Sequence, residues 1–220
     1  LGWQVHRLQG WQVPDDLLAC KEPVFYVEAM MAPIIAAKFG RVAVEPPDDW
    51  LPNLPQEYRK RSVRLFTLSE AKNIKHEMFM KPPNDKSFKA SVMLGAQLPA
   101  EFDASMPVLV SDVVAWESEF RCFVLRRKVV TVSLYARFGV LQREHDFAAS
   151  EAEMQAAESF AQLVANDSRV ALAESAVIDV GLIANAGWAV IEQNAAWGAG
   201  IYGCDPEQVL SVLQHACPRA

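Results

Sequence analysis

Residues 177–194 read VIDVGLIANAGWAVIEQN, and no other stretch restricts the fold as tightly. Two apolar runs flank an Asn-Ala-Gly turn, which commits this part of the chain to a β-hairpin. The polar exceptions are Asp179 in the first run and Glu192 and Asn194 in the second. Glu192 and Asn194 are two apart, so they project from one face of their strand. The hairpin brings Asp179, on the neighbouring strand, within reach of that face. Three oxygen-bearing side chains on one face suit a hard cation such as Mg²⁺, which completes its shell with substrate phosphates and water. The solvated side of an amphipathic hairpin would carry the same residues, so the pattern by itself leaves both readings open.

The rest of the chain supplies more strands and two well-marked helices. Strands are expected at 41–44, 62–67, 78–81, 89–94, 108–111, 121–125, 128–135, 176–183 and 188–193. The repeated GWQV at 2–5 and 10–13 reads as short strands, too brief for a repeat architecture. A helix is expected over about 24–38 with Gly40 at its C-cap, and Ser69 is expected to cap a short helix. Ser150 and Glu153 form a capping box ahead of Met154, Ala157, Ala161 and Val164. Asp205, Pro206 and Gln208 open the last helix, which should bury Val209, Leu210, Val212 and Leu213. Prolines make 45–55 a loop. Mostly antiparallel strands with interspersed helices give an α+β fold, not a regular βαβ alternation.

The net charge of −6 and pI near 5.3 argue against a general nucleic-acid or membrane-surface binder, either of which wants a basic face. No apolar run approaches the roughly 18 residues of a membrane span, and no signal-peptide pattern is present. Cys20, Cys122, Cys204 and Cys217 lack metal-site spacing; reduced thiols in a cytoplasmic protein are expected. The start at Leu1, without Met and within a strand-like segment, leads us to expect that N-terminal residues are missing.

Asp, Glu thirteen residues later and Asn two further on resembles the metal-binding signature of the ATP-grasp superfamily. FMKP at 79–82 resembles that family's strand-end Lys-Pro, VLVS at 108–111 its hinge strand, and ESEFRCFV at 117–124 the strand after it. DKSFKA at 85–90 and NAAWGAG at 194–200 are closest to the clade named for one arginine and two lysines. The resemblance covers about residues 77–214. It implies two α+β lobes with mostly antiparallel sheets gripping ATP, about 77–107 and 108–220, behind a small N-terminal α/β region over 1–76. It also implies ATP and Mg²⁺ as cofactors. Asp179, Glu192 and Asn194 would hold the metal. Lys81 would contact the phosphates, Leu109, Val110 and Ser111 would bind adenine through backbone, and Glu119 would meet the ribose. Arg121 would face the phosphates. In place of the Gly-rich loop common in the family stands PNDK at 83–86, so Lys86 or Lys89 would supply charge there. Residues 195–200 would lie beside the acceptor.

Competing motifs are weaker. Gly198, Gly200 and Gly203 spell GxGxxG, but the chain ends before a second strand with its acid could follow. No P-loop occurs, and the four histidines are scattered. Arg121 could equally pair with Glu117 or Glu119, and Lys81 could be a solvated strand end. Trp188 and Trp197 read as packing residues. The resemblance implies a ligase that joins a carboxylate, on a small molecule or peptide, to an amine through an acylphosphate, releasing ADP and phosphate. A nucleotide-sensing module without turnover and a phosphotransferase are the alternatives. Lysine adenylation is disfavoured because Lys-x-Asp-Gly is absent.

Overall fold

Alternating buried and exposed positions drive two antiparallel sheets in the computed structural model, which describes residues 2–220. The strands are β1 (Val63–Thr67), β2 (Met78–Lys81), β3 (Ser91–Met93), β4 (Pro107–Ser111), β5 (Trp116–Leu125), β6 (Lys128–Arg137), β7 (Val140–Leu141), β8 (Ser175–Ile183) and β9 (Gly187–Asn194). The helices are α1 (Asp15–Leu18), α2 (Ala32–Lys38), α3 (Trp50–Asn53), α4 (Gln56–Arg59), α5 (Leu68–Ala71), α6 (Glu151–Asn166) and α7 (Pro206–Leu213). One sheet has the order β1-β4-β2-β3 and the other β7-β6-β5-β8-β9. The smaller sheet draws β1 from before residue 77 and β4 from 107–111, so its members lie on both sides of residues 76 and 107. No helix among the described residues is long and apolar enough to cross a membrane.

The five-stranded sheet buries one face under α6. Phe120, Cys122, Val124, Ile178, Val180 and Val190 meet Ala157, Ala161 and Val164 there. The capping box of Ser150 and Glu153 starts this helix. The opposite face divides in two. At one end Phe123 and Val177 pack with α7, α2 and Trp197. At the other end that face is polar, and it looks toward the four-stranded sheet. That smaller sheet packs Met80, Val108 and Val110 on α5, which turns Phe79, Lys81, Leu109 and Ser111 the other way.

Several expectations fail for identifiable reasons. The helix expected over 24–38 begins only at Ala32, because Pro33 is tolerated in the first helical turn but not in the interior. The preceding residues run extended, and Val27 N–H donates to the Trp197 carbonyl at 3.0 Å. Residues 2–14 form no strand, GWQV copies included, since no neighbour pairs with them. The strand expected at 41–44 is reduced to a bridge between Arg41 and Arg219. There the chain follows the C-terminus, with Val42 N–H bonded to the Pro218 carbonyl and Val44 N–H to that of Ala216. Thr67, not Ser69, caps α5, in a reciprocal pair with Glu70. Strand 89–94 shortens to Ser91–Met93.

Candidate functional site

A cavity of about 390 Å³ lies between the two sheets. Val63, Phe79, Lys81, Val92, Leu109 and Ser111 of the smaller sheet form one wall, and Trp116, Glu119, Tyr135, Ile191 and Glu192 of the larger form the other. The walls are apolar except at one end, where the charged residues gather.

That end is assembled by strand register. Arg121 on β5 pairs with Asp179 on β8, and Asp179 pairs with Glu192 on β9, so all three share a face. From the hairpin turn, partners run Ile183↔Gly187 to Val180↔Val190 in regular order, and then Asp179 faces Glu192. Ile191 is thus an extra residue, a β-bulge. Without it Asp179 would face Ile191, and Glu192 and Asn194 would turn to the α6 side. The bulge is what puts both on the cleft side with Asp179.

The side chains form one connected set. The Arg121 fork donates to Asp179 from Nε to Oδ1 at 2.9 Å and from Nη2 to Oδ2 at 2.7 Å. Nη1 donates to the Gly200 carbonyl at 3.0 Å. The Asn194 amide bridges Asp179 Oδ2 and Glu192 Oε1, at 3.1 Å each. The Lys81 ammonium pairs with Glu192 Oε2 across the two sheets. Tyr135 and Tyr202 stack at 5.1 Å, and the Arg121 guanidinium lies 4.8 Å from the Tyr202 ring centroid. Tyr202 adopts φ of 48°, a region unfavourable for a bulky residue.

Burial and pairing oppose each other here. Burial pushes the Asp179 carboxyl above the ordinary carboxylate range, against the pull of the Arg121 guanidinium. For Glu192 burial also raises the value, but the Lys81 ammonium outweighs it and holds the group low. Glu119 is raised by burial despite accepting from Tyr135 Oη at 2.9 Å.

Each expected site residue can now be located. Asp179, Glu192 and Asn194 are together. Spare acceptor capacity fits a hard cation: Asp179 Oδ1 and both Glu192 oxygens accept one bond each, and a carboxylate oxygen has two lone pairs. No group of three His, Cys, Asp or Glu side chains is arranged for a metal among the described residues, so an amide oxygen must complete this set. Lys81, Glu119, Leu109 and Ser111 line the cavity. Val110 does not; it is buried against α5. Adenine cannot be read by the backbone of 109–111 as expected, because β4 is paired on both edges, to β1 and to β2. Residues 112–114, which leave that strand, line the cavity instead. Arg121 also departs from expectation. It is 6% exposed and each of its three nitrogens already donates, so contact with phosphate would require it to leave Asp179. Lys86 and Lys89 are exposed on the loop between β2 and β3 and do not line the cavity.

Sequence reasoning missed Arg61, Trp116, Tyr135 and Tyr202. Arg61 sits in the basic run at 59–61, which reads as a solvated face. One signal was available for Trp116: Gly181 lies inside a strand, where glycine often marks a close approach. A Cβ there would stand 2.7 Å from Trp116 Cε3 and from the Ser118 carbonyl oxygen.

Comparison with known families decides the class. The model of an ATP-grasp domain, family 2 of the clade named for one arginine and two lysines, matches residues 58–212, more than half of the chain. The chain is a member of this ATP-grasp family. Among solved structures, the D-cycloserine synthetase DcsG is similar to this ATP-grasp chain at 12% identity and a TM-score of 0.50, with 79% of this chain and 69% of that one covered. The ATP-grasp ligase PsnB, complexed with precursor peptide PsnA2 and AMPPNP, gives 16% and 0.39, with 65% and 45% covered. D-alanine–D-alanine ligase from Bacillus anthracis gives 12% and 0.47, with 73% and 63% covered. The likeness at such identities is one of fold. The ATP-grasp chain spans only 45% of that PsnB structure and 63% of the D-alanine–D-alanine ligase. No curated protein matches it.

Proposed function

We propose that this ATP-grasp chain is the nucleotide-binding part of an ADP-forming ligase, which joins a carboxylate of a small molecule or peptide to an amine through an acylphosphate. One observation carries the reading: Lys81 of one sheet and Asp179, Glu192 and Asn194 of the other meet at the polar end of an otherwise apolar cleft. The apolar walls suit a purine, with backbone groups of 112–114 at its edge and Glu119 at the ribose. The polar end suits phosphates. Lys81 would bind them directly, with Lys86 and Lys89 adding charge from their loop. Asp179, Glu192 and Asn194 would hold Mg²⁺, which neutralises charge on the β- and γ-phosphates when bound. Arg121 acts through Asp179, fixing the carboxylate by its two-pronged grip. Residues 195–200, tied to Arg121 through the Gly200 carbonyl, would lie beside the acceptor.

The test is chromatographic separation of nucleotide products after incubation with ATP, Mg²⁺ and pools of candidate acids and amines. ADP and inorganic phosphate are expected. AMP with pyrophosphate as the main product would overturn the mechanism. A second reading, an ATP-binding module without turnover, draws support from the pairing of both acids with cations of the same chain. Firm ATP binding with no product from any pool would favour it.

A further inference from the structure

Arg61 is a buried cation, 7% exposed, and among the described residues no carboxylate pairs with it. Burial draws its pKa down to about 10. An unpaired buried charge is costly, so its surroundings must compensate. They do so with backbone oxygens. Nη1 donates to the Val190 carbonyl at 2.7 Å and to that of Arg59 at 3.1 Å, and Nη2 donates to the Ile191 carbonyl at 3.1 Å. Nε donates to Ser111 Oγ at 3.1 Å. The guanidinium carbon lies 5.0 Å from the Trp116 ring centroid.

Val190 and Ile191 are the residues at which β9 gains its extra member. In a regular strand successive carbonyls point to opposite edges. At this bulge both turn to one guanidinium. The same group reaches Ser111 on the smaller sheet, and so fixes the bulge relative to the opposite wall of the cleft. Trp116 backs it from beneath, in space that only a glycine at 181 leaves open.

We propose that Arg61 is a positioning residue: it holds the β9 bulge in register, and through it presents Glu192 and Asn194 to the cleft. The inference rests on the assignment of Glu192 and Asn194 to the metal–nucleotide site. Arg61 touches neither of them. Its effect passes through the backbone of 190–191.

The experiment compares the full chain with Arg61→Lys and Arg61→Met. Lysine keeps the charge but cannot fork to two carbonyls and a hydroxyl. Amide hydrogen exchange without nucleotide should accelerate at 190–194 by roughly tenfold or more in both variants. Exchange in β5 and β6 should stay at the wild-type rate, which a merely stabilising role would not allow. Calorimetric titration with ATP, with and without Mg²⁺, should show the Mg²⁺-dependent gain in affinity reduced by roughly 10- to 100-fold, the range for residues supporting metal ligands. Deletion of Ile191 should abolish that gain and leave metal-free ATP binding. Wild-type exchange at 190–194 in a folded variant would overturn the proposal. If wild type itself gains no ATP affinity from Mg²⁺, the metal–nucleotide reading fails, and the exchange measurement still decides the role of Arg61. Should Arg61→Met not fold, Arg61→Lys decides alone.

Discussion

Lys81 and Glu192 stand on different sheets and close one end of the cleft by an ion pair. The lysine occupies the carboxylate that the proposed site needs for a metal. Binding of MgATP must therefore exchange partners, with Lys81 moving to phosphate and the metal to Glu192. Glu192→Gln should tighten ATP binding measured without Mg²⁺, by on the order of 1 kcal/mol, the upper value for a partly exposed pair. The same variant should lose the gain that Mg²⁺ brings. Weaker metal-free binding by calorimetry would contradict the exchange.

Lys81→Ala should weaken ATP binding by about 1.5–3 kcal/mol, the range for hydrogen bonds to charged groups. Loss of the pair with Glu192 enters with opposite sign, so the lower end is expected. Unchanged affinity would remove Lys81 from the phosphate site.

Gly181→Ala puts a methyl group 2.7 Å from a backbone oxygen and from the Trp116 ring. The backbone oxygen cannot yield, so Trp116 must. The expected cost is about 1–3 kcal/mol, as for other overpacked cores, read from the urea midpoint. Near-UV circular dichroism of the folded variant should change as Trp116 leaves its place under Arg61. An unaltered spectrum would show that the site accommodates the methyl otherwise.

Glu153 gives a defined pH dependence. Its hydrogen bond from Arg137, with those from Ser150, holds the pKa at about 2, below the usual 4.5. The folded state binds this proton less readily than the unfolded chain. The contribution to stability is therefore present above pH 4.5 and lost as pH falls from there to about 2. Glu153→Gln should be less stable than wild type at pH 7, and the difference should vanish near pH 2. Denaturant midpoints across that range test it; a pH-independent difference would point to packing alone.

Thiol reactivity should separate one cysteine from three. Cys20 is exposed. Burial raises the other thiols, Cys204 to about 12 and Cys217 to about 11, with Cys122 well above its ordinary value. Ellman's reagent at pH 8 should modify one thiol quickly in the native chain and all four after denaturation. Rapid reaction of a second thiol would mean that a core element opens locally.

What could be read in the sequence was local and periodic. The capping box at Ser150 and Glu153, the Asp205 start of α7 and the hairpin at 177–194 all depend on neighbouring residues, and all appear. The thirteen-residue interval from Asp179 to Glu192 marked the site without revealing why it works. Twelve residues would be the distance between partners in this hairpin, and the thirteenth is the bulge. Arg61 was invisible because its partners are carbonyls some 130 residues away, and carbonyls have no sequence signature. Pro33 was legible and overlooked; it forbids the long N-terminal helix by itself.

The first 45 residues look dispensable by secondary structure, yet they hold up the floor beneath residues 195–200. Trp197, 2% exposed, donates from Nε1 to the Val44 carbonyl at 2.9 Å and packs in one cluster with Phe25 and Ile35. A recombinant fragment trimmed to the family-matched limits, 58–212, would uncover that indole together with Phe123 and Val177. Aggregation during expression is the expected result. A useful truncation would have to keep the stretch through Phe25 and the C-terminal residues that pair with it, however little regular structure either contains.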